Sequence, residues 1–340
     1  MNGRKKRSGV IIVIVIVVIA AAFGAVFGLH KKYTDLKSDY HNLEENKNEI
    51  VNQEVADRLE EVRQEKEDEV LECFREGLGT KSNTLKFLRE TYKDKYLVYQ
   101  ISSNYLFEPI LNVEMADYSM GDFVKDDTTG FRSFQKDGKT MTEHVIDVSK
   151  YQGEIDWTAV KNNGIEGAMI RAGIRGYGSG EITGDALFDQ NMQGALAEDL
   201  KVGVYFFSEA VNVEEAEEEA DFVIKAIKPY KVTLPVTLDL EMIDGDVARN
   251  ESVSKEDMTE IALTFMKKVK DAGYEPMLYG NIRTISEMVD LEQLADYKLW
   301  FAYYSDDIYI PYKVDMWQYA SDGKVDGIET DCDLNMMFIE

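Results

Sequence analysis

The stretch Leu234-Pro-Val-Thr-Leu-Asp-Leu-Glu241 places a short apolar segment directly before two carboxylates. Its apolar residues predict a buried β-strand. Because side chains alternate along a strand, Asp239 and Glu241 are expected on one face, about 6.6 Å apart along the chain. Burial and mutual repulsion raise the pKa of one of two such acids, which leaves a protonated acid beside an ionised partner. That pair suits the cleavage of a glycosidic bond, whereas two solvated loop acids are the alternative interpretation.

Strand and helix patterns alternate around this stretch from residue 144 onward. Between the earlier strands, amphipathic helices are predicted over 188–200, 212–227 and 254–272, the last two beginning with capping residues. Such alternation indicates parallel βαβ units, and about eight strands favour a closed, irregular α/β barrel that loses its helices after the fifth strand. The predicted strands are Val145–Val148, Gly167–Ala172, Lys201–Ser208, Leu234–Glu241, Pro276–Tyr279, Leu299–Tyr303, Asp315–Tyr319 and Cys332–Met336.

Further carboxylates and aromatic residues stand at the ends of these strands. Asp147 closes the first strand, and Asp331 and Asp333 flank the start of the last. In an α/β barrel the chemistry lies where the strands end, at the carboxyl-terminal face. Aromatic rings beside these acids are able to stack on sugars, although an aromatic residue on a strand more often belongs to the core. The aromatic residues concerned are Tyr151, Tyr205, Phe207, Tyr279, Trp300, Tyr303, Trp317 and Tyr319.

Six segments carry a further signal through their order and spacing. They are His144-Val-Ile-Asp-Val-Ser-Lys-Tyr-Gln-Gly-Glu-Ile-Asp-Trp157, Gly203-Val-Tyr-Phe-Phe-Ser208, Leu234-Pro-Val-Thr-Leu-Asp-Leu-Glu241, Gly273-Tyr-Glu-Pro276, Trp317-Gln-Tyr-Ala-Ser-Asp-Gly-Lys-Val325 and Asp333-Leu-Asn335. Together they resemble glycoside hydrolase family 25, the Chalaropsis-type lysozymes, over about residues 143–340. The resemblance implies an irregular β/α barrel that cleaves the β-1,4 bond between N-acetylmuramic acid and N-acetylglucosamine in peptidoglycan.

The resemblance also implies roles for individual residues. Glu241 would be the general acid that protonates the leaving oxygen, and Asp239 would orient and polarise the substrate's acetamide or stabilise the oxocarbenium-like transition state. Asp147 and Asp333 match the two further acidic positions of the family site. Family enzymes are thought to use the acetamide as the nucleophile, so that no protein nucleophile is required. The candidate substrate-binding residues are Tyr151, Tyr205, Phe207, Tyr279, Trp317 and Gln318, and neither a cofactor nor a metal is expected.

Two other functions are compatible with the same barrel. A non-catalytic scaffold could grip peptidoglycan without cutting it, although the intact pair of Asp239 and Glu241 argues against this. A hydrolase acting on another polymer of N-acetylhexosamine is the third interpretation. Asp326 stands where family members often carry proline, which bears on substrate preference more than on activity.

The N-terminus has the pattern of a membrane anchor. Residues 10–29 form an uninterrupted run of apolar and small residues, which is long enough to cross a bilayer as a helix. Four positive charges at residues 4–7 precede it, which favours a cytoplasmic tail over 1–9, a single-pass anchor and an extracellular remainder. A cleaved signal peptide is the alternative, but the apolar part of such a peptide is usually about 7–15 residues long.

The segment between the anchor and the barrel divides into two parts. Residues 30–80 are highly charged with apolar residues at helical spacing, which predicts a helical stalk that permits a homodimer without requiring one. Residues 81–140 contain two short aromatic strands and turn sequences, which indicate a small accessory segment or linker. Cys73 and Cys332 are predicted to be free thiols, and the alternative is an intermolecular bridge at Cys73.

The composition of the chain bears on two possible functions, nucleic-acid binding and metal-dependent catalysis. The chain has a formal net charge of −26, and residues 141–340 carry 40 acidic and 17 basic side chains. Such a domain repels phosphate backbones, so nucleic-acid binding is excluded. The three histidines do not form a metal-ligand pattern with the cysteines, which argues against a metalloenzyme.

Overall fold

The computed structural model describes residues 2–79, 83–118, 120–242 and 248–339. The chain forms two compact units, Met1–Phe87 and Leu88–Glu340. Most of the first unit is one helix, α1 (Asn2–Gly79), which includes the predicted stalk. Glutamates pair with arginines three or four residues away along its surface, as Arg63 does with Glu60 and Glu67. Such pairs stabilise an exposed helix by a few tenths of a kcal/mol each, about 0.2–0.5.

The predicted transmembrane helix is not supported by the structure. Where side chains are described, no helix combines the length and the apolar run needed to cross a bilayer. The predicted span 10–29 begins outside that part, because the side chains of residues 10–16 are not described. The side chain of Cys73 also lies outside it, while Cys332 is a buried free thiol.

The second unit begins within helix α2 (Thr84–Tyr92) and continues through short strands. The two strands predicted after residue 95 form a hairpin of β1 (Tyr96–Ile101) and β2 (Asn104–Pro109). A second small sheet contains β3 (Phe123–Lys125), β4 (Arg132–Lys136) and β5 (Lys139–Thr140). Its tight turn is Asp137-Gly138, where φ is 53° and 74°, and an Asp-Gly pair suits positive φ at both positions.

Eight strands close into the barrel, and each coincides with a strand predicted from the sequence. They are β6 (Thr142–Val148), β7 (Gly167–Arg175), β9 (Lys201–Phe207), β10 (Val236–Asp239), β11 (Pro276–Gly280), β12 (Lys298–Ala302), β13 (Met316–Gly323) and β14 (Cys332–Phe338), with β8 (Ile182–Gly184) as a short hairpin on β7. All neighbours from β6 round to β13 pair in parallel, and β14 closes the barrel by pairing antiparallel with both β13 and β6.

Helices cover only part of this barrel. They are α3 (Trp157–Asn162), α4 (Phe188–Ala197), α5 (Val213–Ile227) and α6 (Lys255–Asp271). Asn212 and Ser254 cap the last two through side-chain oxygens that accept from backbone N–H groups, as predicted. After β11 the described residues form only a π-helical turn, Thr284–Met288, before β12. The prediction of an irregular barrel that loses its helices after the fifth strand is therefore confirmed.

Alternation along the strands decides which side chains reach the barrel interior. Met169, Met277, Trp300 and Met316 form an inner cluster, while the neighbouring residues in each strand join the core that packs under the helices. In β10 the apolar residues face outward, which leaves Asp239 on the inner side. The inner apolar cluster therefore forms the floor beneath the carboxylates.

Residues 88–140, which are most of the accessory segment predicted over 81–140, pack on the barrel within the same compact unit. The Phe123 ring meets Trp317 edge-on at 5.5 Å. Arg89 donates through Nη1 to the Tyr303 hydroxyl at 2.8 Å, and the Val98 N–H donates to the Tyr309 hydroxyl at 2.9 Å. These contacts cover the barrel wall where helices are lacking.

Candidate active site

A cavity of about 270 Å³ opens at the carboxyl-terminal ends of the barrel strands. The strands deliver to it four carboxyl groups, one guanidinium, one amide and a set of aromatic rings. Its lining residues are Asp147, Tyr151, Arg171, Ile174, Tyr177, Tyr205, Phe207, Asp239, Glu241, Tyr279, Trp300, Tyr304, Gln318 and Asp333. Among the described residues, no group of His, Cys, Asp or Glu side chains is arranged to hold a metal ion.

Two amides hold the carboxylate of Asp147 in place. Gln318 Nε2 donates to Asp147 Oδ2 at 2.9 Å, and Asn335 Nδ2 donates to the same oxygen at 2.8 Å. Asn335 is itself fixed, because its Oδ1 accepts from Trp300 Nε1 at 2.8 Å. Burial raises the pKa of Asp147, and the two amide donors act in the opposite direction by stabilising the ionised form.

Two tyrosine hydroxyls orient Gln318. Tyr279 OH and Tyr304 OH both donate to Gln318 Oε1, at 2.8 and 2.7 Å. With its oxygen occupied in this way, the amide must present its N–H to Asp147. The aromatic side of the cavity therefore fixes the hydrogen bonding of the acidic side.

Asp239 and Glu241 form a coupled pair of acids. Burial, then the facing charges of Glu241 and Asp147, raise the pKa of Asp239 well above its ordinary range. Burial and Asp147 also raise the pKa of Glu241, while a hydrogen bond with Asp239 opposes this. Both shifts favour a proton shared within the pair, and the two acids titrate as one unit. The upward direction of both shifts agrees with the sequence expectation that burial and repulsion raise a pKa in this pair.

Asp333 is a second protonated acid. Burial and the neighbouring Asp147 raise its pKa to about 9. At neutral pH Asp333 is therefore neutral, and its hydrogen bond with Asp147 helps to stabilise the ionised Asp147. Four carboxyl groups fit into one cavity because protons neutralise part of their charge.

Nine of the ten residues predicted from the sequence line this cavity, namely Asp147, Tyr151, Tyr205, Phe207, Asp239, Glu241, Tyr279, Gln318 and Asp333. Trp317 does not. It follows the inward-facing Met316 in β13, so its ring points to the outer core, and its Nε1 donates to the Tyr303 carbonyl at 2.8 Å. The prediction of a substrate-binding role for Trp317 is corrected on this ground.

Several cavity residues were not predicted from the sequence. They are Arg171, Ile174, Tyr177 and Tyr304, whereas Trp300 was named among the strand aromatics but not among the candidate substrate-binding residues. Arg171 carried a usable signal, because a charged residue inside an apolar strand must find a partner. That partner is Asp185, whose carboxylate accepts from Arg171 Nε and Nη2 at 2.9 and 2.7 Å. Asp185 does not stand at the end of any of the eight strands predicted from the sequence, so the strand pattern did not indicate it.

Comparison with known proteins identifies the family. The sequence profile of glycosyl hydrolases family 25 matches residues 146–328, which is more than half of the chain and contains most of the cavity. The chain belongs to glycosyl hydrolases family 25. The predictions of this family and of a glycoside hydrolase are thereby confirmed. Membership also explains why the matched segments run in order through the barrel.

Similar proteins fall into two groups. The uncharacterized protein YegX of Escherichia coli (strain K12) is 26% identical over 203 residues, which is 58% of this chain and 70% of that protein. The modular autolysin LytC of Streptococcus pneumoniae aligns with a TM-score of 0.52 and 23% identity, covering 69% of this chain and 54% of that one. The spore cortex lytic enzyme SleM of Clostridium perfringens gives 0.51 and 20%, covering 59% and 69%. These two solved structures share the fold of this family 25 hydrolase.

Proposed function

We propose that this family 25 hydrolase cleaves peptidoglycan at the β-1,4 bond between N-acetylmuramic acid and N-acetylglucosamine. The observation that carries the proposal is the pair of Asp239 and Glu241 in a cavity walled by aromatic rings. Two proteins of the same fold, an autolysin also solved with a synthetic peptidoglycan ligand and a spore cortex lytic enzyme, support the choice of polymer. Aromatic faces beside polar groups are suited to sugar rings, which present both apolar and hydroxyl surfaces.

In the proposed reaction Glu241 protonates the glycosidic oxygen as the bond to C1 breaks. The carbonyl oxygen of the substrate acetamide attacks C1 and forms a cyclic intermediate, and Asp239 accepts a hydrogen bond from the acetamide N–H. Water then opens the ring at C1, and the ionised Glu241 takes up the proton from that water, so the acid is regenerated.

Substrate binding would move the shared proton of the pair. In the free site burial and the facing charges of Glu241 and Asp147 raise the pKa of Asp239, and one of its buried oxygens, Oδ1, has no hydrogen-bond partner among the described residues. A donated N–H from the acetamide would stabilise the ionised Asp239 and leave the proton on Glu241, where the leaving oxygen needs it. Asp147 and the neutral Asp333 would complete the acidic wall that stabilises positive charge at C1.

We also propose that residues 10–29 anchor the chain in the cell membrane, with residues 1–9 cytoplasmic and the barrel outside. The apolar run and the four preceding positive charges support this. The barrel's acidic excess gives it no electrostatic attraction to an anionic wall, so a tether would keep it near its substrate. Retention of the chain in alkali-washed membranes, and its release when residues 1–29 are deleted, would test this; release of the intact chain would refute it. A homodimer through residues 30–80 stays a prediction.

The test of the activity compares the full chain with Glu241→Gln on purified peptidoglycan. We expect the wild type to release fragments with muramic-acid reducing ends, identified by mass spectrometry after reduction. Glu241→Gln should bind the polymer but release none, because it has lost the proton donor. Binding without cleavage by the wild type would instead favour the scaffold function. Glucosamine reducing ends would place the cut at the other bond.

A further inference from the structure

Asp185 lies outside the cavity but connects three elements that build its wall. It stands between β8 and α4, and its side chain has no solvent exposure. Oδ2 accepts from Arg171 Nε and Nη2, on β7, and from the Lys150 N–H, in the turn after β6, the last at 3.1 Å. Oδ1 accepts from the Leu187 N–H at the start of α4, at 3.0 Å. A fully buried carboxylate that accepts from four donors is held in one orientation.

Arg171 is the residue through which Asp185 reaches the cavity. Its guanidinium is 13% exposed and lies inside the barrel, on the strand position paired with Tyr205. Two of its N–H groups bind Asp185, and within the described chain its other N–H groups have no hydrogen-bond partner. Arg171 is the cation of the cavity lining, which otherwise contains four carboxyl groups. Its charge acts against the rise in the pKa of Asp239.

The same carboxylate fixes the turn that carries Tyr151. Asp185 holds the Lys150 N–H, while Ser149 and Gln152 close the turn on themselves through a hydrogen bond of 2.8 Å from the Ser149 N–H to Gln152 Oε1. The Tyr151 ring is 68% exposed at the rim of the cavity, and the Arg171 guanidinium lies 5.0 Å from its centre. An exposed ring held in this way is placed for a ligand, because burial does not explain its position.

We infer that Asp185 is a positioning residue of this active site, which acts through Arg171 and the Tyr151 turn to fix the cavity wall that faces Asp239. The inference rests on the proposed function. The turn that leads into α4 uses only Oδ1, so a structural role in that turn leaves the contacts of Oδ2 unexplained. Misplacement of catalytic surroundings by about 1 Å costs on the order of 10²-fold in rate, which is the scale expected when this oxygen is lost.

The experiment is a double-mutant cycle on the full chain with soluble peptidoglycan glycan oligomers as substrate. Asp185→Asn keeps the size of the side chain but removes its charge and replaces one of its two acceptor oxygens by an N–H donor, and Arg171→Gln removes the cation. Each should lower kcat/KM by roughly 10-fold to 100-fold. The double variant should lose no more than the worse single variant, because both changes break one contact. Asp189→Asn, which replaces the carboxylate that accepts from the Tyr230 hydroxyl by a neutral amide on the same side of the barrel, is the control and should retain kcat/KM.

A pH profile separates positioning from folding. Loss of the cation favours the protonated forms of the coupled pair of Asp239 and Glu241, so the acidic limb of kcat/KM should move to higher pH in Arg171→Gln, and less far in Asp185→Asn. A variant that merely folds poorly would lower the amount of active enzyme without moving that limb. The ionisable groups facing Asp239 are Asp147 on β6, Arg171 on β7, Tyr205 on β9, Glu241 beyond β10 and Tyr279 on β11, with Asp333 nearby on β14.

Hydrogen exchange of the peptide covering residues 149–152 gives a readout that needs no activity. The Lys150 amide should exchange faster in Asp185→Asn than in the wild type or in Asp189→Asn. Unchanged exchange, an unmoved acidic limb, or losses that add in the double variant would each overturn the positioning role. Absence of cleavage by the wild type would instead overturn the proposed function, and the exchange result would still decide the role of Asp185.

Discussion

Arg175→Met tests the energetics of a buried ion pair beside the site. Arg175 ends β7 with its side chain 3% exposed, and its Nε donates to Glu219 Oε1 at 2.7 Å, a carboxylate with no exposure. Its other nitrogens donate to the carbonyls of Gly180 and Glu215, at 2.6 and 2.9 Å. Ser208 donates to the second oxygen of Glu219 at 2.7 Å. Methionine fills a similar volume but leaves Glu219 without its cation.

The expected loss follows from these contacts. Removing one partner of a buried pair costs about 3–5 kcal/mol of unfolding free energy. Burial already raises the pKa of Glu219 from 4.5 to about 7, and Arg175 opposes that rise. Without Arg175 the folded-state pKa rises further, so Glu219 is protonated in both folded proteins below about pH 7. Above that pH Glu219 ionises in the wild type, where Arg175 pairs with it. In the variant Glu219 must either keep its proton or be buried as an unpaired charge. The free energy of unfolding lost in Arg175→Met should therefore grow with rising pH.

Tryptophan fluorescence during urea unfolding measures this loss in the full chain. All three tryptophans, Trp157, Trp300 and Trp317, lie in the barrel, so the signal does not report on α1. We expect the midpoint to fall by roughly 1–2 M urea at pH 9 and by less at pH 6. Lys268→Met, which breaks a partly exposed pair with Asp221, should cost less than about 1 kcal/mol at either pH. An equal loss for Arg175→Met at both pH values would refute this reasoning.

Three further changes test the barrel interior and the site. Gly203→Ala should lower the free energy of unfolding by about 1–3 kcal/mol in the same titration, because its Cβ would lie 2.5 Å from a side chain and 2.6 Å from a carbonyl inside the barrel. Gly178→Ala is the control and should be neutral, because nothing lies within 4 Å of its Cβ. Equal losses in the two variants would contradict the packing argument. Asn335→Asp replaces the N–H donor to Asp147 by a carboxylate and should lower kcat/KM at least about tenfold; an unchanged value would remove Asn335 from the site. Tyr151→Ala in a cleavage-deficient background should weaken glycan binding by about 2-fold to 10-fold in calorimetry, and unaltered affinity would argue against stacking.

The sequence was most informative where one periodicity decides the structure. Apolar residues at alternate positions of 234–241 predict both the buried strand and the shared face of Asp239 and Glu241, and the structure places both acids in the cavity. Capping at Asn212 and Ser254 is equally local, since the side chain binds an N–H three residues later. Such features require no knowledge of distant residues.

Features that depend on distant partners could not be predicted in this way. The same alternation applies to Trp317. This residue lies in one of the segments that resemble the family and was predicted to bind substrate, but the register of β13 turns its ring outward. Asp185 acts through Arg171, and a contact between a loop and a strand leaves no periodic pattern. The packing of residues 88–140 on the barrel likewise rests on side chains about 200 positions apart, as between Val98 and Tyr309.

The position of β14 links the timing of synthesis to activity. This strand is the last of the barrel in the sequence, yet it lies between β6 and β13 and supplies both Asp333 and Asn335 to the site. Before residues 332–338 are synthesised, the edges of β6 and β13 are unpaired, and the site lacks Asp333, one of its four acids. Barrel closure and assembly of the site are therefore one event. The strand that is made last therefore completes both the barrel and its acidic cavity, and a chain that stops before residue 332 has neither.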